Sequence, residues 1–149
     1  MTTNVYYRFE YGFGKELELL IKVNELLSGD LNLIKTDDKY CCVDYRFLND
    51  ERLICYIELK SRKNISGFAD LMIGKTKLYN ISKLDKQVIL LWVDGSVFYH
   101  CVFSDEFLKY KSGYCGGSSV IYIPKSVMTI GNLESFVESL QHIQQLCIK

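Results

Sequence analysis

Val43–Lys63 reads VDYRFLNDERLICYIELKSRK, two apolar runs around a polar turn. Asp44 opens the first run, and the second ends in Glu58-Leu59-Lys60, followed by Arg62 and Lys63. A strand puts alternate residues on one face, so Glu58 and Lys60 share a face with Ile54 and Tyr56, while Cys55, Ile57 and Leu59 face the opposite layer. Two carboxylates brought together on a strand pair repel, and each raises the other's proton affinity. A divalent cation removes that conflict. Mg²⁺ takes oxygen ligands and usually rests on one or two carboxylates, water and substrate phosphate. A neighbouring lysine can then position the attacking water and oppose the charge that builds on phosphorus. Two carboxylates, a metal and a lysine suit phosphodiester hydrolysis.

The triplet alone is a weak signal, because nine glutamates and fourteen lysines in 149 residues give about one Glu-x-Lys by chance. The same charges would also serve as the solvated end of a hairpin. The first helix adds weight to the chemical reading. At about 100° per residue, Glu16 falls in the middle of the apolar arc formed by Leu17, Leu19, Leu20, Val23, Leu26 and Leu27. Glu18, Lys22 and Glu25 fall on the wet side. Glu16 is therefore a third acidic group aimed at the sheet, or a glutamate stabilised by the positive end of its helix.

The elements that must position these residues follow from periodicity. Lys15–Leu27 reads as a helix, closed by Ser28-Gly29-Asp30. LNLIKT is a first strand, and KYCCVDYRFL and RLICYIELK form a hairpin. A three-residue loop at Asp50-Glu51-Arg52 places Asp44 opposite Glu58; a two-residue turn puts it on the wrong face unless a bulge restores the count. Ser66–Asp85 reads as a second helix, weakened by Gly74. QVILLWV and SVFYHCVF form a hairpin around Asp94-Gly95, which supplies the positive φ angles of a tight turn. Residues 103–119 read as loop with one short helical turn, GYCGGSS being its flexible part. SVIYI is a strand stopped by Pro124, and NLESFVESLQHIQQLC is a closing helix with Asn132 as its N-cap. The step from the Glu-Leu-Lys strand through a helix to VILLWV implies two parallel strands. The fold class is α/β, a mixed sheet with helices packed on it.

The bulk properties fit one domain over residues 1–149. Net charge is zero, so the chain is not a polycation, and nucleic acid would have to be held by a local patch. Lys60–Lys86 carries seven basic residues (Lys60, Arg62, Lys63, Lys75, Lys77, Lys83 and Lys86) against Asp70 and Asp85, a local balance of +5. Of these, Arg62, Lys63, Lys75 and Lys77 are the candidate phosphate contacts. Lys77 lies between Ile73 and Ile81 and could equally be a snorkelling side chain. Tyr6, Tyr7 and Tyr11 cluster before the first helix and suit packing over a sheet edge, or else stacking on bases. The six cysteines form no Cys-x-x-Cys pair and read as reduced thiols, mostly core, which suits a cytoplasmic or nuclear compartment rather than secretion. No signal sequence or membrane span is expected. No small-molecule cofactor motif is present; the glycine-rich stretch lacks the Lys-Ser/Thr of a phosphate loop.

Taken together, these residues resemble the PD-(D/E)xK nuclease superfamily, the restriction-endonuclease-like fold. Its core runs αβββαβ, its motif is an aspartate opening one strand and (Asp/Glu)-x-Lys in the next, and a glutamate often lies on the first helix. Asp44, Glu58-Leu59-Lys60 and Glu16 match it, with Val43 where the motif has proline. IELKSR followed by MIGKTK is also similar to uncharacterised nuclease-like proteins of phages and large DNA viruses. The resemblance covers about residues 14–103 and leaves the extension 104–149, with its extra strand and terminal helix, unexplained. It implies an Mg²⁺- or Mn²⁺-dependent DNA endonuclease. Asp44, Glu58 and the Leu59 backbone carbonyl would hold metal, Lys60 would activate or position water, and Glu16 would assist. The alternative is an inactive relative of the same shape, binding nucleic acid or serving as a virion or assembly component. DNA is the implied partner, and a homodimer is what symmetric cutting of both strands would require.

Overall fold

The computed structural model describes residues 16–36 and 43–147, with side chains to residue 144. Tyr6, Tyr7, Tyr11 and Lys15, together with Lys39–Cys42 of the expected second strand, lie outside the described residues. The first helix, α1, runs over residues 16–26. Leu19 and Val23 bury its inner face, while Leu17 and Ile21 are half exposed. Asn24 clasps the next strand, β1 (Leu31–Lys35): its side chain accepts from the Leu33 N–H at 2.7 Å and donates to the Leu33 carbonyl at 2.8 Å.

β1 pairs with β2 (Tyr45–Asn49), which pairs in turn with β3 (Arg52–Ser61), both antiparallel. The connection between β2 and β3 is the two-residue turn Asp50-Glu51, with Asp50 at φ 58°, not the three-residue loop. The bulge supplies the repair. Near the turn Leu48 pairs with Leu53, but beyond it Phe47 pairs with Cys55, so Ile54 is the inserted residue. This bulge sets the register that pairs Tyr45 with Ile57, and Asp44, one residue before β2, donates its N–H to the same Ile57 carbonyl. It also moves Ile54, which packs with Cys55, Ile57 and Leu59 rather than on the Glu58 face expected from strict alternation.

The stretch read as one long helix is in fact a strand and a short helix: β4 (Asp70–Gly74) and α2 (Lys75–Ile81). Asp70-Leu71-Met72-Ile73 has period two, with Leu71 and Ile73 buried and Met72 exposed. Its hydrogen-bonding partner is remote in sequence, β8 (Ser118–Pro124). Then β5 (Val88–Asp94) lies parallel to β3, as the crossover implies, and turns through Gly95 at φ 59° into β6 (Val97–Val102). Asp94 itself stays in the strand and pairs with Val97, so of the two residues expected at positive φ only the glycine adopts it.

The extension completes the architecture. After a 3₁₀ turn at Asp105–Lys109, β7 (Ser112–Cys115) and β8 form a hairpin through Gly116 and Gly117, at φ 58° and 84°. The short helical turn expected in residues 103–119 is this 3₁₀ turn, while Ser112–Cys115, expected to be loop, is strand. β9 (Thr129–Gly131) adds an edge to β6, and α3 (Leu133–Cys147) closes the chain. Among the described residues the strands form a six-stranded sheet, β1-β2-β3-β5-β6-β9, and a three-stranded sheet, β4-β8-β7.

Two apolar layers cover the large sheet. Leu19, Val23, Phe136, Val137 and Leu140 of α1 and α3 pack on one face with Phe47, Ile57 and Leu91. Ile73, Leu78, Ile81, Ile121 and Ile123, from α2 and the small sheet, pack on the other with Leu90 and Trp92. Cys55 and Cys101 are buried thiols and Cys115 is exposed. No helix among the described residues is long and apolar enough to cross a membrane.

Asn132 caps α3 as its position implied. Its side chain accepts from the Ser135 N–H at 2.9 Å, while Ser135 Oγ accepts from the Asn132 N–H at 2.9 Å, a reciprocal capping box. Asn132→Ala is expected to lower stability by about 1 kcal/mol, read as a shifted urea midpoint at unchanged slope.

Candidate active site

Glu58 lies on the face of β3 that looks toward α2 and is only 1% exposed. Burial is the first reason its carboxyl is pushed up to about 8; the neighbouring Asp44 raises it further, and Lys77 and Lys60 pull it down. Neither of its oxygens has a hydrogen bond of good geometry. Lys77 Nζ nevertheless touches Oε2 at 2.5 Å, and Asp44 is close enough to share a proton with Glu58.

Asp44 is held against β3 by both its backbone and its side chain. Its N–H donates to the Ile57 carbonyl at 3.1 Å, and its Oδ2 accepts from the Leu59 N–H at 2.8 Å. In a strand the N–H and C=O of one residue point to the same side. The Leu59 carbonyl therefore points to the Asp44 side, beyond the end of β2. Thr36, which sequence reasoning passed over, fixes the approach. Its hydroxyl donates to the Val43 carbonyl at 2.7 Å and its N–H donates to the Asp44 carbonyl at 2.9 Å. Val43, standing where the motif has proline, is buried with Ile65, Leu71 and Ile73.

Lys60 is half-buried beside Glu58, and burial lowers its proton affinity although the Glu58 charge opposes the effect. Lys77 is two residues into α2. Burial works against its charge, but Glu58, Asp44 and a hydrogen bond with Lys60 raise its affinity for a proton on balance. Two carboxylates and two amines thus converge from β2, β3 and α2. Sequence spacing foresaw the first three, but not that Lys77 would close on Glu58.

The remaining candidates are more dispersed. Glu16 accepts from Lys35 Nζ at 3.1 Å, and α1 packs on the face opposite the one Glu58 occupies. Its carbonyl accepts from the Tyr45 hydroxyl at 3.2 Å, and burial, then the charges of Glu16, Asp44 and Glu58, push the Tyr45 phenol well up. Arg62, Lys63 and Lys75 are exposed. The loop after β3 that carries Arg62 and Lys63 is pinned by Asp94 Oδ2, which accepts from the Ile65 N–H at 3.0 Å. Lys125 Nζ pins it again, donating to the carbonyls of Ile65 at 2.6 Å and Ser66 at 3.2 Å.

Among the described residues no three His, Cys, Asp or Glu side chains gather into a cation cage. The buried, poorly bonded oxygens of Glu58, with Asp44 beside them and a backbone carbonyl on the same edge, nevertheless form a donor set of the kind Mg²⁺ accepts, one or two carboxylates completed by neutral oxygens.

No family model matches the chain, and no curated protein matches it. Solved structures do. The chain is similar to Hjc of Archaeoglobus fulgidus, a Holliday junction resolvase from an archaeal hyperthermophile, at 13% identity and a TM-score of 0.52, over 86% of this chain and 96% of that one. It is also similar to D212, a nuclease from a fusselovirus, at 17% identity and a TM-score of 0.51, over 97% and 95%. Both likenesses extend beyond residues 14–103, and the chain has the restriction-endonuclease-like fold.

Proposed function

We propose that this protein is a divalent-metal-dependent endonuclease acting on DNA. The observation that supports this reading is the proximity of the Asp44 and Glu58 carboxyls at the start of β2, with Lys60 next along the Glu58 face of β3. The two similar structures, a Holliday junction resolvase and a viral nuclease, support it. Asp44, Glu58 and the Leu59 carbonyl are the residues that would hold Mg²⁺ or Mn²⁺. Such an ion supplies a nucleophilic water at neutral pH and charge stabilisation at the phosphate. Lys60 positions the attacking water and faces the negative charge that builds on the phosphate. Asp44 is kept in place by the Leu59 N–H, which accounts for one of its two oxygens. Glu16 holds an outer position, adding negative charge near Tyr45. Arg62, Lys63 and Lys75 take up flanking phosphates, and two copies of the chain would cut opposite strands.

Expected is nicking of supercoiled plasmid, or cutting of a branched duplex, in the presence of Mg²⁺ or Mn²⁺ and its loss on chelation. The second reading is a nuclease-shaped binding module, favoured by the Lys77–Glu58 pair, which partly neutralises the site without an ion. DNA bound but never cut under any divalent cation selects that module.

A further inference from the structure

Lys77 reaches across from α2 to the buried carboxylate of Glu58, Nζ to Oε2 at 2.5 Å. The two partners differ in freedom. Glu58 is 1% exposed and fixed in the centre of the sheet, whereas the Lys77 side chain is 33% exposed. A lysine stem has four rotatable carbons, so this amine can swing into solvent while α2 stays where it is. Lys60 is less free, because it sits on β3, whose neighbours β2 and β5 flank it in the same sheet.

With both carboxyls ionised, as ligation of a cation requires, Asp44, Glu58, Lys60 and Lys77 together carry two negative and two positive formal charges. Adding a divalent cation to the carboxylates with both amines in place would set four positive charges against two negative ones at close range. Like charges in a partly desolvated site repel strongly. One amine has to leave, and Lys77 has both the direct contact with the carboxylate and the open path.

We propose that Lys77 is a built-in counterion that occupies Glu58 and competes with the divalent cation for it. Loading the ion turns Lys77 outward, where its amine becomes available to a substrate phosphate. This rests on the proposed metal-dependent reading and adds the regulation of that site.

The test is Mn²⁺ binding to the full chain, followed by loss of the free-ion electron paramagnetic resonance signal and by metal-induced rise of the melting temperature. Wild type is compared with Lys77→Met, Lys77→Arg and the double variant Lys77→Met/Asp44→Asn. Lys77→Met is expected to lower the Kd at least about tenfold and to gain more melting temperature from Mn²⁺ than wild type. Lys77→Arg keeps the charge and should bind no tighter than wild type. The double variant should lose the gain. Should Lys77→Met not fold, Lys77→Gln carries the same test. Equal affinity in wild type and Lys77→Met, or a gain that survives Asp44→Asn, overturns the competition and leaves the reaction class standing. Absence of Mn²⁺ binding in all variants overturns the metal site itself, and the competition with it.

Discussion

Asp44→Asn and Lys60→Met are each expected to lower Mg²⁺-dependent DNA cleavage by about 100-fold or more, with the folded structure retained. Asparagine keeps the shape of aspartate, and its amide oxygen can still accept from the Leu59 N–H that holds Asp44 at 2.8 Å. The change therefore removes charge and little else. Lys60→Met removes an amine whose protonation burial already opposes, and leaves an apolar stem of similar length. Neither change should lower the melting temperature as much as a core truncation would. The measurement is the single-turnover nicking rate of supercoiled plasmid, alongside thermal melts of each variant. Nicking that is equal in wild type and in both variants belongs to a contaminant and removes the case for hydrolysis. A large loss of melting temperature with the lost cleavage would make Asp44 a structural residue.

How much of this could be read beforehand depends on the distance over which each feature is decided. The Glu58-Leu59-Lys60 run and the β5–β6 hairpin are local: apolar stretches of strand length bounded by charge or by Asp94-Gly95 announce themselves. The α3 cap is local as well, since Asn132 and Ser135 are three residues apart. The register of β2 on β3 is not. It depends on a bulge at Ile54, and that insertion follows from two consecutive residues, Ile54 and Cys55, both finding room in the α1–α3 layer. Residue order gives no sign of which side of the hairpin will yield. β4 was hidden for a related reason. Five residues of period two merge into the following helix, and the strand exists because β8, remote in sequence, pairs with it. SVIYI announces β8, but its partner β7 sits in a stretch of glycine and serine whose only strand signal is Tyr114 before the paired glycines. The contact of Lys77 depended on the missed β4. Its approach to Glu58 follows only once β4 has ended at Gly74 and α2 has started over the sheet.

The largest stability effect is expected at Glu58. Its carboxyl binds a proton in the folded chain up to about pH 8, against 4.5 as the ordinary value, with burial as the first cause. Between those values the folded state holds more protons than the unfolded one, so raising the pH destabilises the metal-free protein. Below the ordinary histidine value of 6.5 the slope is mixed. His100, buried against Phe136, has its proton affinity lowered by burial, so protonation of the unfolded chain withdraws stability as the pH falls. Across the window from about 6.5 to 8 the Glu58 proton corresponds to about 2 kcal/mol lost with rising pH, and Lys60, whose proton affinity burial lowers, works in the opposite sense. Glu58→Gln replaces the carboxyl by a neutral group of the same shape. Lys77, one-third exposed, can turn to water when its partner's charge is gone. The variant should be flat across this window, so that its stability relative to wild type rises by about 2 kcal/mol between pH 6.5 and pH 8, while cleaving no DNA. Urea midpoints at pH 6.5, 7.2 and 8, read without divalent ions, decide it. A wild-type slope that persists in Glu58→Gln would show that this carboxylate is already charged and satisfied in the folded chain, and with it the need for any cation at the site would disappear.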